Sequence, residues 1–188
     1  MGVQKIAYVS LFAAIMGVLG LMPAIPLGFT PVPITLQTLG VMLAGSILGA
    51  RLGPKYAAYS QLLFLLLVAA GLPLLSGGRG GLGVFVAPSG GYLIGYIAGA
   101  YVIGYICYKM KETNLLKLIT ANVFGGMIVV YLFGIPFQAM MMNISILEAF
   151  IVNLVFLPGD FTKVMIGSLL AVRLQKAIPL SKEEVKAA

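Results

Sequence analysis

Asp160 and Lys163 stand three residues apart, and Arg79 stands inside Gly77-Gly78-Arg79-Gly80-Gly81. On a helix, an i,i+3 spacing puts the aspartate and the lysine on one face. Such a pair can anchor a helix start. It can also face a cavity, where the carboxylate accepts from N–H groups and the ammonium attracts an anion. Pro158 suits a first helical turn, which leaves Asp160 where the helix dipole favours an anion. Arg79 carries a fork suited to a carboxylate, and Gly78 and Gly80 beside it let the backbone approach another group closely. The plainer reading of that segment is a flexible loop with its arginine among lipid headgroups. Thr35, Gln37 and Thr38 open a helix after a proline-rich stretch. Thr35 either caps that helix or joins Gln37 in lining a pocket. Tyr92, after Pro88-Ser89-Gly90-Gly91, is either an interfacial residue or a pocket wall. Glu148 reads as an interfacial residue.

These residues make no catalytic set. The chain has no histidine, so a serine, cysteine or threonine nucleophile lacks its usual base. The lone Cys107 permits no intramolecular disulfide and suggests no metal cluster. The glycine run is not a GxxxxGK[ST] loop and follows no strand, so it does not indicate nucleotide binding. The expectation is a protein that is not an enzyme and has neither cofactor nor metal.

The elements that must position these groups are set by composition. Of 188 residues, 61% are hydrophobic and 9% charged, with a mean hydropathy of +1.07. A soluble domain carries about 25% charged residues, so lipid is the natural solvent for this chain. The net charge of +7 does not indicate nucleic acid, because the basic residues are scattered between apolar runs and form no stripe. The run Ile6 to Met22 is longer than a signal-peptide core and precedes no small-x-small site, so it reads as an uncleaved first helix.

A spanning helix needs about 20 apolar residues. Spans are expected at about 6–22, 35–52, 56–71, 91–108, 115–133 and 158–174, in a single membrane domain covering 1–188. Gly53-Pro54 ends the second, and Gly134-Ile135-Pro136 ends the fifth. Residues 136–157 are expected to form a short helix at the membrane surface or re-entering it. The predicted fold is therefore an all-α integral membrane protein, a bundle of six transmembrane helices. With both termini on one side, Lys5, Arg51, Lys55, Lys109, Lys111, Lys117, Arg173, Lys176, Lys182 and Lys186 share that side. Positive loops stay cytoplasmic, so both termini are expected in the cytoplasm. Arg79, Glu148, Asp160 and Lys163 then lie outward, and charges at membrane depth are functional candidates. Small residues Ser10, Ala13, Ala14 and Gly17, and Gly95, Gly99 and Ala100, mark faces for close helix packing, inside the chain by default.

Several strings, in order, resemble the biotin-specific substrate-binding subunits of energy-coupling factor transporters, the BioY family. They are Pro33-Ile34-Thr35-Leu36-Gln37-Thr38, Leu43-Ala44-Gly45 with Leu48-Gly49 and Leu52-Gly53, Gly71-Leu72-Pro73, the Arg79 glycine run, Pro88-Ser89-Gly90-Gly91-Tyr92-Leu93, and Leu157-Pro158-Gly159-Asp160 with Lys163. The resemblance implies a six-helix capture subunit in the plasma membrane of a prokaryote, with a biotin site near the outer face. It implies that Asp160 and Lys163 belong to that site, with Arg79 and its neighbours contributing and Tyr92 as a wall. Some relatives carry an asparagine where this loop reads Ser76-Gly77-Gly78. The resemblance also implies that Ser10, Ala13, Ala14 and Gly17 dock on a membrane-embedded coupling subunit, which works with two cytoplasmic ATPase subunits. Partners are then biotin, lipid and those subunits, with no nucleic acid. Two other functions stay open: a stand-alone secondary transporter of biotin or a small carboxylate, and a scaffold without ligand. Against the first, no paired half-chain repeat is evident.

Overall fold

The computed structural model describes residues 2–110 and 114–177. Lys111, Lys182 and Lys186 of the charge count lie outside the described residues. Helix α1 (Val3–Leu21) leads into a hairpin of β1 (Ile25–Leu27) and β2 (Thr30–Ile34). Next come α2 (Gln37–Leu43), a π-helical turn (Ala44–Gly49), α3 (Ala50–Leu52) and α4 (Pro54–Ala69). Then follow α5 (Gly90–Lys109), α6 (Leu115–Asn122), a second π-helical segment (Val123–Val129) and α7 (Val130–Met142). Helix α8 (Ile146–Asn153) and α9 (Leu157–Ala177) complete the described chain. Among the described residues, four continuous helical stretches are long and apolar enough to cross a membrane: Val3–Leu21, Gly90–Lys109, Leu115–Met142 and Ile146–Gln175.

Helix α5 is the central rod, packed against α4, α7 and both π segments. Its glycines make this possible. A Cβ on Gly91 would fall 2.5 Å from the Phe133 oxygen, and one on Gly99 would fall 2.6 Å from the Gly125 oxygen. In lipid, where no hydrophobic force drives helices together, such contact is a main source of cohesion. Three polar residues bridge the bundle below. Ser46 Oγ donates to Asn122 Oδ1 at 2.8 Å, and Asn122 Nδ2 donates to Ser168 Oγ at 3.0 Å. All three are fully buried.

Three expectations need correction. The hairpin is a departure from an all-helical chain. Its strands pair antiparallel, with Ile25 opposite Ile34 and Leu27 opposite Thr30. An isolated hairpin is marginal, and this one is held by burying Thr30 and Val32 while its prolines sit at a sheet edge, where no ladder donor is needed. Second, Pro136 does not end its helix, which runs to Met142 with the proline inside. Proline removes one intrahelical bond, but packed neighbours tolerate it in a membrane helix. The stop comes at Asn143, left-handed at φ 52. Third, Thr35 is not the cap of α2; Leu36 occupies that position. Exposed Glu148 also serves the start of α8, where it forms a reciprocal capping box with the N-cap Ser145.

Candidate functional site

Residue Asp160 sits in the first turn of α9, which begins one residue before Pro158. It is 3% exposed and Lys163 7%, and Lys163 Nζ lies 2.8 Å from Asp160 Oδ1. The i,i+3 spacing thus gives a buried ion pair on one helix face. Thr38, from α2, closes a triangle: its Oγ1 donates to Asp160 Oδ1 at 3.3 Å and accepts from Lys163 Nζ at 3.0 Å. Tyr131, from α7, donates its hydroxyl to the other carboxylate oxygen, Asp160 Oδ2. Three rods therefore meet at one carboxylate. A buried pair gains from mutual attraction only if hydrogen bonds also satisfy its remaining sites, and here Thr38 and Tyr131 supply most of them.

This cluster lines one wall of a cavity. The other walls are Val32, Pro33, Ile34, Thr35 and Gln37 from the hairpin end and α2, Leu75 and Arg79 from the glycine loop, Ser89, Tyr92, Leu93 and Tyr96 around the start of α5, and Phe156. The structure so brings Asp160, Lys163, Arg79, Tyr92, Thr35 and Gln37 together. Tyr92 presents its ring. Its hydroxyl is turned away, within 2.7 Å of Gln138 Oε1 and 2.6 Å of Asn153 Oδ1. Asn153 Nδ2 in turn donates to Gln138 Oε1 at 2.9 Å, and Gln138 Nε2 donates to Thr30 Oγ1 at 3.3 Å. This buried network fixes Tyr92, and it ties the hairpin to α7 and α8. Tyr131 packs edge-on against Tyr92, with ring centroids 6.5 Å apart.

The glycines beside Arg79 serve the loop itself. Leu75 and Arg79 exchange backbone bonds at 3.0 and 3.2 Å, and the reversal between them needs Gly77 and Gly78 at φ 75 and 69. Gly78 faces an outer vestibule between the loop and the hairpin. Gly80 packs on its own loop, since a Cβ there would fall 2.3 Å from the Leu72 oxygen. Arg79 Nε donates to the Ser76 oxygen at 3.1 Å, and Arg79 borders both the cavity and the vestibule. Among the described residues no carboxylate lies within ion-pair distance of it.

The small-residue face of α1 divides. Ala13 and Gly17 are buried inside the bundle, and a Cβ on Gly17 would meet Leu74 at 3.4 Å. Ser10 and Ala14 are exposed. Only these two of the four are open to a partner, because helical spacing turns positions 13 and 17 inward.

Tyr131, Tyr96, Leu75 and Phe156 line the cavity without having been singled out from the sequence. Tyr96 had a local signal, since it lies four residues after Tyr92 on the same helix face. Tyr131 had only its polar tip in an apolar run, which calls for a partner when buried.

Comparison with known proteins agrees with this architecture. The model of the BioY family matches residues 1–180. A probable biotin transporter BioY of Bacillus subtilis (strain 168) is 48% identical over 174 residues, covering 93% of this chain and 91% of that protein. A biotin transporter BioY of Rhizobium etli is 44% identical over 186 residues, covering 96% and 97%. The crystal structure of the S-component for biotin from an ECF-type ABC transporter superposes with a TM-score of 0.86 at 38% identity, covering 93% of this chain and 92% of that one. With the family model matching residues 1–180 and relatives aligned over more than nine-tenths of each chain, this chain belongs to the BioY family.

Proposed function

We propose that this chain captures biotin at the outer face of a prokaryotic cell membrane, as the substrate-binding subunit of an ATP-driven energy-coupling factor transporter. It is a transport subunit rather than an enzyme. The observation that carries the reading is the charge arrangement of the cavity. Asp160 and Lys163 neutralise one another at 2.8 Å, which leaves Arg79, unpaired among the described residues, to give their cavity lining a net charge of +1. Biotin is a monoanion with a carboxylate tail, an apolar bicycle and a ureido ring. Asp160 takes a ureido N–H, Tyr92, Tyr96 and Phe156 enclose the bicycle, and Arg79 holds the carboxylate at the vestibule side. Thr35 and Gln37 complete the wall. The cavity has a volume of about 60 Å³. A bicyclic ligand therefore spreads the hairpin and the glycine loop as it enters.

The reading includes six membrane spans with both termini cytoplasmic, supported by the basic residues that such a topology gathers on one side. It also includes docking of the exposed Ser10 and Ala14 face on a membrane-embedded coupling subunit, itself driven by two ATPase subunits.

Isothermal titration of the purified chain with biotin tests the site. Arg79→Gln is expected to weaken biotin by about tenfold, and to leave biotin methyl ester nearly unaffected because the ester offers no anion. Equal losses for acid and ester would remove Arg79 from the carboxylate. Biotin accumulation in vesicles lacking any ATPase would favour a stand-alone transporter instead. Orientation is read by impermeant maleimide labelling in a Cys107→Ser background. Phe29→Cys should label in intact cells and Gly2→Cys only after permeabilisation; the reverse pattern inverts the topology.

A further inference from the structure

We infer that Gln37 reads the ureido carbonyl of the ligand, and that it makes the site selective for a cyclic urea over its imine analogue. The inference rests on the biotin reading and deepens it. Gln37 is the first residue of α2. It lines the cavity, is 3% exposed, and its Nε2 is buried with no hydrogen-bond partner among the described residues. A buried donor without an acceptor is costly, and native structures rarely leave one without a reason. The atom sits against α1 at Gly20, where a side chain could not fit: a Cβ there would fall 2.8 Å from Gln37 Nε2 and 2.0 Å from the Leu74 oxygen. Rotation about the last side-chain torsion, which is broad and roughly two-fold, carries the nitrogen to the cavity and breaks no bond.

The acceptor side of the same site is nearly filled. A carboxylate has about four lone-pair positions. Lys163, Thr38 and Tyr131 occupy three on Asp160, which leaves one for a ligand N–H. Thr38, the residue after Gln37, is the one that bonds Asp160. Asp160 thus keeps one free acceptor position and Gln37 one unpartnered donor, and both residues line the same cavity. A cyclic urea presents the complement on one edge, an N–H beside a C=O. Lys163 carries a third N–H as well, but it is held against Asp160 and Thr38 at 2.8 and 3.0 Å.

Gln37→Glu keeps the shape and turns the donor into an acceptor. Binding of biotin, desthiobiotin and 2-iminobiotin to the purified native and variant chains tests the idea. Desthiobiotin keeps the ureido carbonyl; 2-iminobiotin replaces it with an imine that is protonated at neutral pH. In the variant, biotin and desthiobiotin should both weaken by at least about tenfold, while 2-iminobiotin should hold or strengthen. An unchanged biotin to 2-iminobiotin ratio overturns the assignment. Should the glutamate variant fail to purify as a monodisperse species, Gln37→Met serves: it should weaken biotin and spare 2-iminobiotin, and an unchanged ratio again overturns it. Failure of the native chain to bind biotin at all would instead remove the biotin reading beneath it.

Discussion

Asp160→Ala is expected to lower biotin affinity by at least about 100-fold, as measured by isothermal titration of the purified chain. Two losses combine. The ligand loses the acceptor for its N–H, and Lys163 is left as a buried ammonium whose ion-pair partner, 2.8 Å away in the native chain, is gone. Breaking a buried pair at one end costs about 3–5 kcal/mol, so stability should fall as well. Removing both charges separates the two effects. Asp160→Ala with Lys163→Met should recover most of the thermal stability, because no buried charge is stranded. It should not recover binding, because the acceptor is still missing. A double variant that binds biotin as tightly as the native chain would exclude Asp160 from the ligand contact.

Gly134→Val is expected to damage both the fold and the cavity. A Cβ on Gly134 would fall 2.2 Å from two atoms of the Tyr92 ring. That ring cannot step aside cheaply: it is 8% exposed, packed edge-on against Tyr131, and held through its hydroxyl by Gln138 and Asn153. Overpacking of a filled core costs about 1–3 kcal/mol, and stranding a member of the network adds about 1–3 kcal/mol. The midpoint of thermal unfolding should fall by several degrees, and biotin affinity should fall with it, since Tyr92 lines the cavity. Gly28→Ala in the hairpin turn is the control, because nothing lies within 4 Å of a Cβ there. Equal midpoints and affinities for the two variants would show that the contact of Gly134 with Tyr92 carries no weight.

Some of this structure is readable because the controlling interactions are local. Gly53 takes φ 109 and Pro54 starts α4, which any reading of that dipeptide anticipates. Pro158 near the start of α9, and the shared face of Asp160 and Lys163, follow from helix geometry alone. The capping box of Ser145 and Glu148 was equally local, a Ser-x-x-Glu pattern whose signal went unused. Pro136 misleads because its usual effect is a local rule overridden by packing: α7 lies against α5 and α8. The left-handed Asn143, rather than the proline, stops the helix.

What the sequence by itself determined is the solvent and the cast. A chain with 9% charged residues belongs in lipid, and the few ionisable groups set apart from its basic loops are its candidate site. Their ordered motifs name the family. Only the tertiary structure decided how the cast is arranged. Tyr131 reaches Asp160 across 29 residues and Thr38 across 122; no period or motif couples such distant positions. It turned Ala13 and Gly17 inward and left Ser10 and Ala14 outward. It put Gly77 and Gly78 in the left-handed conformation that the turn before Arg79 requires. The physical reason is the same throughout. Propensity and spacing act within a few residues along the chain, whereas hydrogen-bond satisfaction and close packing in a bundle are settled between elements far apart in sequence.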